Sequence, residues 1–237
     1  MEVVPAPANG RVFSYAPQPG LADVAPSGRV RLDALARWLQ DAAWADVVDS
    51  GVPDEGVWVV RRMAMRVARF PRFGQAVAVD TFCSGTGRLW AERRSTVRGE
   101  GGPLVEAVGL WVHLDGSGTR PRPLPDGFDA VYGPAAGGRR VMARLRHPPA
   151  PPAGADVRPW RFRAADLDLA GHVNNAVYWQ VLEEELSGLD SERALECEME
   201  HRAPGDAGEA LVHRAGGLRW IASSDGAVLA TLEASWP

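Results

Sequence analysis

The chain repeats itself, and that repeat restricts the fold before any single residue is considered. Asp23-Val-Ala25-Pro-Ser-Gly28-Arg29-Val30 returns 143 residues later as Asp166-Leu-Asp168-Leu-Ala170-Gly171-His172-Val173. At the same offset Leu35 falls on Tyr178, Leu39 on Leu182 and Gln40 on Glu183. Later landmarks recur with drifting offsets, as loops of unequal length require. Phe73-Gly74-Gln75 resembles Pro204-Gly205-Asp206, and the stretch ending at Trp111 resembles the one ending at Trp236. A chain of 237 residues is long enough for two small packed copies. Each copy reads as one long helix followed by about four antiparallel strands, an α+β layer arrangement.

The local patterns agree with that division. Leu32, Leu35, Trp38, Leu39, Ala42 and Ala43 recur at helical spacing between Gly28 and Gly51, which predicts a helix over 30–48. From Val57 the period changes to two, with Met63, Met65 and Val67 on one face and Arg62 and Arg66 on the other. Strands are expected over 10–18, 57–67, 76–83, 89–97 and 104–114 in the first copy. The second copy should hold strands over 157–163, 195–202, 209–215, 218–224 and 228–234, and a helix over 175–186. Residues 115–155 lack a sustained period and carry the run Pro148-Pro149-Ala-Pro151-Pro152, so they read as a surface connection with a short helix near 126–132. The expected division is 1–115, a linker over 116–155, and 156–237.

The copies differ where chemistry would sit. Asp168 and His172 of the second copy are Ala25 and Arg29 in the first. One copy therefore carries a candidate site and the other supports it. A helix start offers unpaired N–H groups and a partial positive charge. With His172 beside it, the start at Val173, Asn174 and Asn175 suits a carbonyl oxygen that is becoming an anion. Asp168 supplies a carboxylate within the same turn, and together these point to acyl chemistry. Asp166 reads as a loop or capping residue, and Asn174 and Asn175 also serve a helix cap. Tyr178, Trp179 and Leu182 lie at helical spacing as core or slot lining. Trp38, Trp58, Met63 and Met65 are candidates for an apolar slot, since deformable Met and broad aromatics suit one, and they read equally as core.

These residues resemble the hotdog superfamily, and more narrowly the double-hotdog acyl-acyl-carrier-protein (acyl-ACP) thioesterases. Asp166-Leu-Asp168-x-x-x-His172-Val-Asn174-Asn175-x-x-Tyr178, Trp58-Val-Val-Arg-Arg-Met63 and Val79-Asp80-Thr81-Phe82-x-Ser84-Gly-Thr-Gly87 carry the likeness. The resemblance implies a tandem hotdog fold, two central helices each wrapped by a curved sheet, and hydrolysis of a fatty acyl thioester with no metal or other cofactor. It implies Asp168 as the acid, His172 as the histidine and Glu200 as a carboxylate from a later strand. Ala170 stands where the family pattern has Asn, and His201 where plant members have Cys. His201 and the helix carboxylate Glu183 are further candidates, His201 being as well explained as a strand residue and Glu183 as a solvated helix position. An acyl-coenzyme A donor, a non-catalytic acyl-binding protein and a hydratase of the same superfamily are the alternatives.

Bulk properties narrow the partners. A net charge of −4 argues against nucleic acid. Every one of the 26 basic residues is Arg, which with heavy Ala, Gly and Pro use reads as codon bias of a GC-rich, bacterial genome. Cys83 and Cys197 are far apart and form neither a disulfide framework nor a metal motif. No signal peptide or long apolar span is apparent, so a cytoplasmic protein without membrane insertion is expected. The expected partner is acyl carrier protein or coenzyme A as the thioester. Two fused copies leave both a monomer and a homodimer open.

Overall fold

The computed structural model describes residues 2–187 and 193–236, apart from the side chain of Pro103. Ten strands form one antiparallel sheet, accompanied by few helices. In chain order they are β1 (Phe13–Tyr15), β2 (Val57–Val67), β3 (Val77–Thr86), β4 (Trp90–Gly99), β5 (Gly102–Leu114), β6 (Asp156–Phe162), β7 (Leu195–His201), β8 (Gly208–Ala215), β9 (Leu218–Ser223) and β10 (Val228–Ser235). The helices are α1 (Leu32–Ser50), α2 (Phe128–Ala136) and α3 (Gln180–Leu186). The sheet order, β1-β3-β4-β5-β2-β7-β10-β9-β8-β6, reads the same from either end when each strand is replaced by its counterpart. Its centre is the antiparallel pair β2·β7, with Met63 opposite Met199. The strand order is thus two-fold symmetric about that pair.

The repeat extends to individual hydrogen bonds. The Ala25 N–H donates to the Arg29 carbonyl at 2.8 Å, as Asp168 N–H does to His172 at 2.9 Å. Gly28 to Ala25 (2.8 Å) and Arg31 to Asp23 (2.8 Å) recur as Gly171 to Asp168 and Asn174 to Asp166, both 2.9 Å. Bridges Val24↔Val30 and Leu167↔Val173 close the two necks. Asp23 accepts the Gly20 N–H and Asp166 the Arg163 N–H, so Asp166 is the capping residue expected.

α1 forms where the periodicity placed it. Leu32, Leu35, Trp38, Leu39 and Ala42 are buried, and Gly51 ends the helix in a left-handed conformation (φ 66°) that its missing Cβ permits. One apolar core takes side chains from α1, α3 and the inner faces of strands in both halves. A smaller cluster of Cys83, Ala91, Phe128, Tyr132 and Ala136 sits under α2.

Three elements depart from the sequence expectation. The second helix is short: Val177–Trp179 is a 3₁₀ turn and α3 begins only at Gln180, because the Asn174 side chain and carbonyl accept the Ala176 and Val177 N–H groups and tighten the entry. β1 is three residues long, pairing with β3 only over Phe13–Tyr15, and Gly10 before it lies so close to α2 that a Cβ there would stand 2.3 Å from the Ala135 nitrogen. The linker is better anchored than its composition implies. Trp90 and Trp220 donate through their indole N–H to the Val141 and Pro148 carbonyls at 2.8 and 2.9 Å, and Arg62 to that of Arg144 at 2.9 Å. This strap therefore crosses both halves of the sheet. Among the described residues no helix is long and apolar enough to cross a membrane.

Candidate active site

The loop between β6 and α3 is a tight hairpin. Its neck is the Leu167↔Val173 bridge, and Gly171 takes a left-handed φ of 78° to close the tip. The Asp168 carboxylate accepts the Ala170 N–H at 2.9 Å, which fixes it at the neck opposite His172. Both side chains are exposed. Beneath them lies Tyr178, buried to 2% exposure, whose phenol is raised by burial first and then by the charges of Asp206 and Asp168. The Tyr178 ring meets His201 edge-on at 5.3 Å and Phe162 at 5.1 Å. Gly205 admits the phenol: a Cβ there would stand 2.3 Å from the hydroxyl. Tyr178 is thus bordered by the rings of His201 and Phe162, and the charges of Asp206 and Asp168 act on its phenol. Asp206 was missed in the sequence, where Pro204-Gly205-Asp206 reads only as a turn.

Three counterparts in the first half are apolar, while Arg29 stands for His172 and Gln75 for Asp206. Leu35 replaces Tyr178 and Ala25 replaces Asp168. Val67 replaces His201, since the bonds from Ala68 and Arg69 to the Leu104 carbonyl match those from Arg202 and Ala203 to Leu229. Packing alone is satisfied by the apolar set.

His201 is buried, and its Nε2 has no hydrogen-bond partner among the described residues. Burial, helped by Arg61, pushes the imidazole down to about 3, so it is neutral at neutral pH. An unfolded histidine titrates near 6.5. The unfolded state therefore takes up a proton that the native state refuses. Stability from this group is intact above pH about 6.5 and lost as pH falls from there toward about 3, at about 1.4 kcal/mol per pH unit. His201→Leu should flatten the difference in urea-denaturation free energy between pH 6.5 and 4.5. Parallel pH profiles for the two proteins would show that the buried imidazole is not the cause.

Several expected members stand elsewhere. Glu200 is buried on the other face of β7, accepting N–H groups of Arg146 (2.5 Å) and His147 (3.1 Å) in the strap and the Arg202 guanidinium (3.1 Å). Alternation along the strand turns it away from Tyr178 and toward the strap. Glu183 is occupied by Arg29, with contacts of 2.6 and 3.1 Å, and by the Leu32 N–H at 3.0 Å; it faces the first half's loop, not His172. Of the three expected oxyanion N–H donors, Val173 is taken by the Gly205 carbonyl and Asn174 by Asp166. The Asn175 N–H has no acceptor among the described residues. Trp58 belongs to the cluster under α2, stacked 4.8 Å from His113 and 5.8 Å from Phe128, apart from the methionines. Trp38, Met63 and Met65 are buried in the main core. Met63 also borders a cavity of about 10 Å³ with Leu39, Arg93, Ala107, Gly109 and Trp111.

Among the described residues, His147, Glu198 and Glu200 are the grouping with metal-type donor atoms, all within 4.8 Å. The Glu200 oxygens are already filled by N–H donors, and His147 Nδ1 lies 3.0 Å from the Thr231 hydroxyl. Both cysteines are free and buried; burial raises the Cys83 thiol to about 11 and Cys197 further, so neither is a thiolate at neutral pH.

The acyl-ACP thioesterase N-terminal domain model matches residues 19–132, and the acyl-ACP thioesterase C-terminal domain model matches residues 151–224. The chain belongs to the acyl-ACP thioesterase family. Its activity is that of the family, hydrolysis of a fatty acyl-ACP thioester. An uncharacterized protein of Mycobacterium tuberculosis is 24% identical over 216 residues, covering 90% of this chain and 86% of its own. The chloroplastic palmitoyl-acyl carrier protein thioesterase of Arabidopsis thaliana is 26% identical over 169 residues, 62% of this chain and 40% of the plant protein. The 12:0-ACP thioesterase from Umbellularia californica superposes with a TM-score of 0.76 at 22% identity, covering 97% of this thioesterase and 98% of that one. An acyl-ACP thioesterase from Bacteroides thetaiotaomicron gives 0.76 at 17% identity, covering 95% and 98%. At these identities the superpositions establish a shared fold.

Proposed function

We propose that this thioesterase is a tandem hotdog whose second half, 156–237, hydrolyses the ester, while the first half, 1–115, holds the acyl chain and the 116–155 strap ties them together. The asymmetry of the duplicated loops carries this reading: Asp168, His172, Tyr178 and His201 against Ala25, Arg29, Leu35 and Val67. The thioester carbonyl lies over the 172–175 turn, its oxygen facing the His172 side chain and the Asn175 N–H. Asp168 takes a proton from water as the water oxygen attacks the carbonyl carbon, the C–S bond breaks, and the departing carrier thiolate takes that proton from Asp168. A positioned base of this kind is worth about 10²–10⁴-fold, and one oxyanion donor about 10²–10³-fold. Met63 lies along the route of the acyl chain between α1 and the sheet, where side chains would have to move aside because the existing cavity holds about 10 Å³.

Acyl-ACP is the donor that family membership favours. Free-thiol release should be measured on acyl-ACP and acyl-CoA across chain lengths, with His172→Ala in parallel. The expected result is faster release from acyl-ACP and at least tenfold loss in the variant. Preference for acyl-CoA would reassign the donor. Binding of acyl-ACP without thiol release would make the chain a non-catalytic acyl binder.

A further inference from the structure

The two-fold relation has a consequence for a residue on the first helix. At one end of the helix pair, Glu183 of α3 reaches the first half's hairpin, where it accepts the Leu32 N–H at 3.0 Å and pairs with Arg29 at 2.6 Å. The repeat pairs Glu183 with Gln40, Leu32 with Asn175 and Arg29 with His172, all at the 143-residue offset that the hairpin hydrogen bonds obey. Gln40 of α1 is thus the cross-half residue for the second hairpin. Its Oε1 is buried without a hydrogen-bond partner among the described residues, and the Asn175 N–H likewise has no acceptor there. A buried amide oxygen left unpaired costs about 1–3 kcal/mol, which a hydrogen bond from a bound water would relieve. The chain also lacks an amide where its family pattern has one, at Ala170.

We propose that Gln40 supplies that amide from the first half, accepting a hydrogen bond from the attacking water and holding it between Asp168 and the thioester carbonyl. This rests on the assignment of the 168–175 turn as the hydrolytic site and extends the site across both copies. The residue type fits its end of the pair. Glu183 faces the Arg29 guanidinium, whereas a second carboxylate beside Asp168 and a developing oxyanion would be repelled. A neutral amide holds water without that penalty.

The test is steady-state hydrolysis of acyl-ACP by Gln40→Ala, Ala170→Asn and the double variant, with Asp168→Asn as reference and melting temperature recorded for each. Gln40→Ala should lower kcat about 10–100-fold with KM within about threefold of wild type and the melting temperature unchanged. Adding Ala170→Asn should restore kcat at least fivefold, because an amide returns to the same water from the other side. Wild-type kcat in Gln40→Ala, or a loss that follows a lowered melting temperature and is not relieved by Ala170→Asn, overturns the assignment. If Asp168→Asn is itself fully active, the hydrolytic site is misplaced and the failure lies there, not with Gln40.

Discussion

Asp168→Asn should abolish most turnover on acyl-ACP, by roughly 10²–10⁴-fold in kcat, while leaving the protein as stable as wild type. The two halves of that expectation come from the same geometry. The side chain is exposed, and its described hydrogen bond is to the Ala170 N–H across two residues, a bond that the Asn amide oxygen can also accept. Little packing is lost, so a fall in activity without a fall in melting temperature isolates chemistry from folding. The base, by contrast, is lost outright. Full activity in the variant would remove Asp168 from the mechanism. A parallel Glu200→Gln variant should behave in the opposite sense. Its carboxylate holds the strap through two backbone N–H groups and Arg202, so that change should cost stability before it costs chemistry.

The second large effect lies at the other hairpin. Arg29 is 1% exposed, its guanidinium pairs with both oxygens of Glu183, and it stacks 4.8 Å over the Phe70 ring. Arg29→Met leaves a buried carboxylate with one N–H donor and no hydrogen-bonded cation, Arg31 acting on it only through its charge. Breaking a buried pair from one side typically costs about 3–5 kcal/mol, which for a protein of this size lowers the melting temperature by about 10 °C. Arg29→Met combined with Glu183→Leu should recover most of that, since a well-packed apolar pair is often neutral or stabilising. Recovery should stop short of completion because the Leu32 N–H loses its acceptor. A single variant no less stable than the double would show that the pair is not holding the helices together.

Much of this architecture was legible in the residues. Alternation marked β2, and the 143-residue repeat held down to matched hydrogen bonds in the two hairpins. Where reading failed, a physical signal was outweighed or absent. In β7, Glu196, Glu198 and Glu200 alternate with Leu195, Cys197, Met199 and His201, a pattern that puts the glutamates on the polar face and His201 in the core. A family motif drew Glu200 into the site against that parity. Trp58 and Met63 share a strand, yet a bulge between Val60 and Arg62 breaks the alternation linking them, so one could not be placed from the other. The length of α3 depended on how Asn174 distributes its acceptors, which composition does not reveal. Occupied backbone donors at Val173 and Asn174 are invisible in sequence for the same reason.

Joining the two units in one polypeptide changes what mutation can do to them. In a symmetric homodimer, any substitution appears at both equivalent positions, so a histidine gained at one mouth is gained at the other. Here the central β2·β7 pairing sits inside a single chain, and position 29 can become arginine while position 172 remains histidine. Covalent linkage thereby frees one mouth to be welded shut as scaffolding while its twin varies independently.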